Sequence, residues 1–124
     1  MTLKSRVAAV RREPEGAYVS YGRTARLDGA RKLAVIPIGY ADGFSRLLSN
    51  KGSVLIRGIP RPIVGRVCMD MCMVEAGEDV RPGDEAEIFG ESLPAEESAG
   101  HMGTVQYELL CAVSPRVPRV YREE

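Results

Sequence analysis

The stretch RPIVGRVCMDMCMVEA, residues 61–76, combines branched and sulfur-containing apolar residues with an acid, Asp70, in the middle of its apolar run. Short apolar runs bounded by glycine and proline are typical of β-strands that are buried on at least one face. Gly58 and Pro60 separate this stretch from the preceding run, SVLIRG, and predict a break between two strands. A domain built around residues 61–76 is therefore expected to be mainly β.

The neighbouring segments continue this pattern in both directions. KLAVIPIGY (32–40) is an apolar run too short for a helix, so it predicts a buried strand, with Pro37 at an edge or bulge. VRPGDEAEIFG (80–90) contains Pro82-Gly83-Asp84, where proline sets the first turn residue and glycine accepts a positive φ at the second. Further strands are predicted in SRVAAVRRE (5–13) and AYVSY (17–21).

The last third of the chain has a different composition. Residues 92–102 are small and polar and predict a loop. From Thr104 the apolar positions follow a roughly helical spacing, so Thr104 is expected to cap a short helix that Pro115 ends. RVPRVY (116–121) predicts a final strand. Residues 1–124 together predict one mainly β domain, barrel-like or curled, with one short helix near the C-terminus.

Composition excludes several classes of function. The chain carries 17 basic and 17 acidic residues, and this zero net charge argues against a nucleic-acid surface. No apolar run approaches the roughly 18 residues of a membrane span. Charged residues such as Lys4 and Arg6 interrupt the N-terminus before any signal-peptide core develops, so a cytoplasmic location is expected.

The residues that bind metals in other proteins are too few here. Cys68, Cys72 and Cys111 are expected to be reduced thiols that pack as small hydrophobic residues. With His101 as the only histidine, these residues do not make a convincing closed zinc site, and no metal is predicted. Neither a Ser-His-Asp set nor a phosphate loop of the Walker type is present.

Three places in the sequence carry polar residues that are candidates for a structural, catalytic or binding role. Asp70 lies inside an apolar run, so it must be paired or face a cavity, and Arg66 on the same strand face is a candidate partner. Asp42 and Gly43 in GYADG predict a turn. Tyr21 stands beside Gly22, where its phenol either packs or transfers a proton; the residues alone leave both interpretations open.

Five motifs, in this order, resemble the C-terminal domain of alanine racemases. They are VSYGRT, IPIGYADGFSR, PIVGRVCMDMCMV, RPGDEAEIFG and GTVQYELLCAVSPRVPRVY, and the likeness runs from about Leu3 to Tyr121. The resemblance implies a mainly β domain that follows an N-terminal (β/α)8 barrel, which binds pyridoxal 5'-phosphate covalently on a lysine. It also implies a head-to-tail homodimer, in which this domain completes the active site on the partner subunit's barrel.

The resemblance also implies roles for single residues. Tyr21 matches the tyrosine that takes the α-proton of L-alanine, and the cofactor lysine serves the D-alanine face. Met69 matches a residue whose backbone N–H contacts the substrate carboxylate, and Tyr107 one that hydrogen-bonds the cofactor phosphate. The residues implied to line the substrate corridor are Tyr40, Arg46, Arg66 and Asp70.

Two departures from the family pattern qualify this resemblance. Ala25 replaces an aromatic residue that often follows the SYG motif, so packing around Tyr21 is expected to be looser. The chain is too short for the barrel of about 250 residues, and its lysines lie outside any cofactor motif. Residues 1–124 are therefore expected to be a fragment cut near Met1 and inactive alone.

The implied function is the interconversion of L- and D-alanine for peptidoglycan precursors. A stand-alone β-barrel binding module that lacks the chemistry is a different class of function that the residues leave open. A racemase of serine or another small amino acid is a third.

Overall fold

The computed structural model describes residues 1–16, 18–19, 25–26 and 31–122. These residues form a mainly β domain with two short helices, which confirms the predicted fold class. The elements are β1 (Leu3–Arg6), β2 (Ala9–Glu13), β3 (Tyr18–Val19), β4 (Ala25–Arg26), β5 (Arg31–Ile36), β6 (Ser53–Ile56), β7 (Ile59–Pro62), β8 (Cys72–Glu75), β9 (Glu85–Phe89), α1 (Ala95–Met102) and α2 (Gln106–Ala112).

Two antiparallel sheets carry the fold. One has the strand order β1-β9-β6-β7 and the other the order β2-β5-β8, while β3 pairs with β4. Residues 61–76 connect the two sheets, because β7 ends in the first and β8 begins in the second. A single bridge between Ile63 and Val74 closes the intervening loop. Closure of the sheets into a barrel stays a prediction.

The predicted strand at residues 5–13 is divided between the two sheets. β1 pairs with β9, whereas β2 pairs with β5. At the crossing the Val7 N–H donates to the Asp84 carbonyl (2.9 Å) and the Ala8 N–H donates to the Val35 carbonyl (2.9 Å). The chain thus changes sheet within two residues, and buried Val7 fills the corner.

Pro37 ends a strand instead of marking an edge or bulge. β5 stops at Ile36, and it is the middle strand of its sheet with partners on both sides. A central strand needs its N–H groups for both ladders, so it ends before a residue that has none. The Pro82-Gly83-Asp84 turn is confirmed, because the Asp84 N–H donates to the Arg81 carbonyl (3.1 Å) and Gly83 has a φ of 92°.

Residues 95–102, predicted as a loop, form helix α1. Alanine and glutamate favour helix, and Glu96 and Glu97 lie in the first turn, where the helix dipole favours negative charge. Gly103 ends the helix with a φ of 72°. Helix α2 begins only at Gln106, and the Thr104 hydroxyl contacts the Glu108 carboxylate instead of capping the backbone.

The C-terminal residues described, 113–122, contain no strand, so the prediction for RVPRVY is wrong. The Arg119 guanidinium folds this segment back on itself by donating to the carbonyls of Val113 (3.0 Å), Ser114 (2.6 Å) and Val117 (2.7 Å). A side chain thereby takes carbonyl groups that a neighbouring strand would otherwise have paired. Within the described ranges, neither helix is long and apolar enough to cross a membrane.

Among the residues whose burial the structure describes, Arg61 is the one buried arginine, with 7% of its surface exposed. Its Nη1 donates to the Ala76 carbonyl (2.9 Å), its Nε donates to the Ile56 carbonyl (3.3 Å), and its Nη2 pairs with Asp79 (3.0 Å). A buried charge requires such complete hydrogen bonding. Arg61 therefore links β6 and β7 to the chain that follows β8.

We predict that Arg61→Met lowers the free energy of unfolding by about 2 kcal/mol or more, because it leaves buried carbonyl groups without donors. Urea denaturation measures the change. Arg57→Met is the matched control, since Arg57 pairs with Asp84 at the surface (2.8 Å) and its loss is expected to change little. Equal effects of the two substitutions would contradict this account.

Candidate functional site

An open pocket of about 380 Å³ contains most of the residues predicted for the substrate corridor. Its lining consists of Tyr40, Arg46, Arg66, Val67, Cys68 and Met69. The fold thus brings together three separate stretches of sequence. The predicted grouping of Tyr40, Arg46, Arg66 and Met69 is seen in the structure, whereas Asp70 and Tyr107 lie outside this lining.

Tyr40 is placed by a tight turn, residues 39–43, that lies against the loop before β8. The turn is one 3₁₀ turn, Tyr40–Asp42, ended by Gly43 with a φ of 102°. The Tyr40 N–H donates to the Cys68 carbonyl (3.0 Å), and the Ala41 N–H donates to the Met69 carbonyl (3.0 Å). These two bonds fix the turn against the backbone of the loop, and the Tyr40 ring is left 47% exposed.

Gly39 allows this approach because it has no side chain. A Cβ at this position would lie 2.1 Å from the Cys68 carbonyl oxygen and 2.5 Å from the Met69 carbonyl carbon. Both contacts are to backbone atoms, which cannot rotate away as a side chain would. A glycine is therefore a steric requirement of the pocket wall.

A second 3₁₀ turn, Arg46–Leu48, places Arg46 at the pocket. The Ser45 hydroxyl accepts a hydrogen bond from the Leu47 N–H (3.1 Å), and Leu48 is buried in the core. Leu48 anchors one side of the turn in the core, and Arg46 on the same turn remains exposed.

Two side chains that follow this turn bind the segment that carries Arg66. The Ser49 hydroxyl accepts from the Val67 N–H (2.8 Å), and the Asn50 amide oxygen accepts from the Gly65 N–H (2.7 Å). The turn and the segment therefore share one rigid wall, with the half-buried Arg66 between these two bonds.

Met69 is 52% exposed, and its backbone carbonyl is already occupied by the Ala41 N–H. Within the part of the chain that the structure describes, no group accepts a hydrogen bond from the Met69 N–H. Met69 lines the pocket, so its backbone N–H is a candidate donor to an anionic group bound there.

Asp70 is paired with Arg116 and not with the predicted partner, Arg66. The Arg116 Nη2 lies 2.6 Å from an Asp70 carboxylate oxygen, and its Nε lies 2.6 Å from a carboxylate oxygen of Asp42. The hydrogen bond from Arg116 holds the pKa of the Asp42 carboxyl below its usual value, so Asp42 is ionised at neutral pH. Sequence reasoning missed Arg116, although it stands in the quoted motif SPRVPRVY.

Residues 1–121 match the family described as "Alanine racemase, C-terminal domain". The chain belongs to this family. Alanine racemase of Desulfovibrio desulfuricans is 51% identical over an alignment 126 residues long, which covers 99% of this chain and 34% of that protein.

Two solved racemase structures contain the same fold. The biosynthetic alanine racemase of Pseudomonas aeruginosa superimposes with a TM-score of 0.95 at 35% identity, covering 98% of this chain and 35% of that one. Alanine racemase of Bartonella henselae with covalently bound pyridoxal phosphate gives a TM-score of 0.92 at 35% identity, covering 98% of this chain and 34% of that one. The chain thus spans about a third of the length of the racemases it matches.

Tyr107, another predicted site residue, is not part of the pocket lining. Tyr107 is 67% exposed on the first turn of α2. Tyr21 falls outside the described residues.

The three cysteines of the racemase domain differ in their surroundings. Burial raises the pKa of the Cys72 thiol to about 12, so Cys72 packs as a neutral hydrophobic residue, as predicted. The prediction of burial is wrong for Cys111, which is exposed, while Cys68 is half-buried at the pocket. Among the described residues, no group of three or more histidine, cysteine or acidic side chains is placed to hold a metal ion.

We predict that Gly39→Ala lowers the free energy of unfolding by about 2 kcal/mol or more, because the added methyl group overlaps the Cys68 carbonyl. Gly100→Ala is the matched control, since a Cβ there meets nothing within 4 Å and the residue lies inside α1. This control is expected to raise stability by up to about 1 kcal/mol. Thermal or urea unfolding of both variants measures whether the two substitutions change stability in opposite directions. Unchanged stability in Gly39→Ala would refute the steric argument.

Proposed function

We propose that this domain completes the active site of a pyridoxal-phosphate-dependent alanine racemase, which interconverts L- and D-alanine. One observation carries the proposal. Three of the four residues that the family motifs assign to the substrate corridor, Tyr40, Arg46 and Arg66, line a single pocket. Met69, which the motifs assign to the substrate carboxylate, lines the same pocket. Membership of the alanine racemase C-terminal domain family supports alanine as the substrate that this pocket receives.

The pocket has the groups needed to receive an amino-acid carboxylate. Arg46 and Arg66 place two guanidinium groups at its lining, and cations at a concave surface concentrate anionic groups. The Met69 N–H then donates a hydrogen bond to the carboxylate and fixes its orientation. Asp70 belongs to the same corridor through its position beside Met69, although its carboxylate points to Arg116.

The residues of this chain fit a supporting role toward the cofactor. Lys4 pairs with Glu85 (2.7 Å), and Lys32 donates to the carbonyls of Glu78 and Val80 (both 3.2 Å), so both lysines serve the fold. The exposed Tyr107 phenol is a suitable donor to a phosphate group. In line with family membership, the lysine that binds pyridoxal phosphate would lie in a barrel outside these 124 residues, with Tyr107 contacting the cofactor phosphate.

Tyr21 is proposed as the base that removes the α-proton of L-alanine, a role supported by the VSYG motif and family membership. Bound pyridoxal phosphate supplies the electron sink for the carbanion. The proton passes from the substrate α-carbon to the Tyr21 phenolate oxygen. Because the reference pKa of a phenol is about 10, its surroundings must favour the phenolate at neutral pH.

The partner in this proposal is a second copy of the racemase. A head-to-tail homodimer would place this domain on the partner subunit's barrel, and the exposed apolar residues offer a surface for it. These include Tyr40, Met69, Val105 and Tyr107. The isolated chain is then inactive, and the whole enzyme is expected to work in the cytoplasm and supply D-alanine for peptidoglycan precursors.

We predict that Tyr21→Phe in the intact racemase abolishes exchange of the L-alanine α-proton with solvent deuterium. D-alanine is expected to keep exchanging, because the cofactor lysine serves its face. Mass spectrometry or proton NMR of each enantiomer separately measures the rates. Tyr121→Phe is the control, since Tyr121 is 91% exposed and does not line the pocket. Unchanged exchange from both enantiomers in Tyr21→Phe would exclude Tyr21 as the base.

We predict that Arg46→Gln in the same enzyme raises KM for alanine up to about fivefold, the size expected for one exposed charge pair. Steady-state kinetics measure the change, and kcat should move less than KM. Arg81→Gln is the control, because Arg81 is an exposed arginine in the turn before β9 and is not part of the pocket. A KM that responds to both substitutions alike would show that only the overall charge of the domain matters.

A further inference from the structure

Two walls of the pocket are joined to each other through their backbones. The turn at residues 39–43 holds Tyr40, and the loop at residues 67–71 holds Met69. Between them run two backbone hydrogen bonds, from Tyr40 to Cys68 and from Ala41 to Met69. Tyr40 is 47% exposed and Met69 52% exposed, so these two side chains add little burial to the contact.

Arg116 connects these two walls from outside the pocket lining. Its Nε donates to Asp42, the last residue of the 3₁₀ turn, and its Nη2 donates to Asp70, the neighbour of Met69, with both distances 2.6 Å. The other Asp42 oxygen accepts the Gly39 N–H (3.0 Å). One chain of polar contacts thus runs from Gly39 through Asp42 and Arg116 to Asp70.

The backbone around Arg116 is itself held to the turn. The Ser114 N–H donates to the Asp42 carbonyl (2.9 Å), and the Ser114 hydroxyl accepts the Arg116 N–H (3.3 Å). Arg119 closes the same segment by donating to the Val113 and Ser114 carbonyls. The guanidinium of Arg116 therefore projects from a fixed backbone. It can fix the positions of the two carboxylates as well as balance their charge.

Arg116 does not touch the pocket. It lines a separate cleft of about 360 Å³ together with residues such as Leu3, Lys4 and Val117. Its contact with Asp70 is exposed, since the side chains are 49% and 62% accessible, and exposed ion pairs contribute little to stability. The main effect of Arg116 is therefore to fix positions. Its planar guanidinium joins the carboxylates of Asp42 and Asp70, which lie close in sequence to the pocket residues Tyr40 and Met69.

We propose that Arg116 is a positioning residue that sets the distance between Tyr40 and the Met69 N–H by bridging Asp42 and Asp70. The inference rests on the proposed function, because the benefit of that distance is correct placement of the substrate carboxylate. Arg116 acts only through its two aspartates, and a shift of about 1 Å in such a site is enough to change rates by up to a hundredfold.

The test uses the intact racemase and three variants. Arg116→Gln removes the bridge, Arg116→Lys keeps the charge but lacks the fork, and Arg57→Gln removes a comparable surface bridge to Asp84 far from the pocket. Two readouts are taken. The first is KM and kcat for each alanine enantiomer, and the second is amide hydrogen exchange of Gly39, Tyr40 and Ala41 by mass spectrometry.

Arg116→Gln is expected to raise KM about tenfold and to speed exchange at the three amides. Arg116→Lys should resemble Arg116→Gln, and Arg57→Gln should match the unsubstituted enzyme in both readouts. Should Arg116→Gln fail to fold, Asp70→Asn removes one arm of the bridge at an exposed side chain and is expected to give a smaller change in the same direction.

Three results would overturn the inference. Unchanged KM and exchange in Arg116→Gln would show that the bridge positions nothing. Full recovery in Arg116→Lys would show that charge alone matters. Faster amide exchange with unchanged KM would show a purely structural role. An enzyme that does not racemise alanine would refute the proposed function separately. Amide hydrogen exchange needs no substrate, so it would still report whether Arg116 holds the turn to the loop.

Discussion

The close contact between Gly39 and the backbone of Cys68 and Met69 is the constraint on which the pocket depends. It lets the turn at residues 39–43 lie directly on the loop that precedes β8, so that Tyr40 and Met69 share one surface. Gly43 forms a second such contact, since a Cβ there would lie 2.2 Å from the Ala112 carbonyl oxygen. The same short turn therefore touches the sheet connection on one side and the end of α2 on the other.

Much of the fold could be predicted from local patterns. The turn at Pro82-Gly83-Asp84 was recognisable because proline and glycine act on their own backbone, whatever the rest of the chain does. The apolar run 32–40 was recognisable as a strand, but the prediction carried it through Pro37, whereas β5 ends at Ile36. The grouping of Tyr40, Arg46, Arg66 and Met69 came from family motifs and not from spacing. No periodicity joins residues 40 and 69, and only the packed turn brings them together.

The errors have physical causes that local patterns do not contain. Residues 95–102 are polar enough to suggest a loop, but they form a helix because capping at Gly103 and packing on α2 outweigh their low hydrophobicity. RVPRVY has the composition of a strand, yet Arg119 takes the Val117 carbonyl, which a ladder would need. Asp70 was assigned to the nearest arginine in sequence, whereas its partner, Arg116, lies 46 residues away.

The position of residues 61–76 across both sheets has a consequence for how this domain tolerates change. The loop that carries Cys68 and Met69 is tethered at both ends, by β7 in one sheet and β8 in the other, and the Ile63–Val74 bridge fixes its span. Side chains in it can vary while their hydrogen-bonded backbone stays in place. An inserted or deleted residue, however, would shift the register of a strand and turn its inward face outward. The length of this connection is therefore under stronger constraint than its composition.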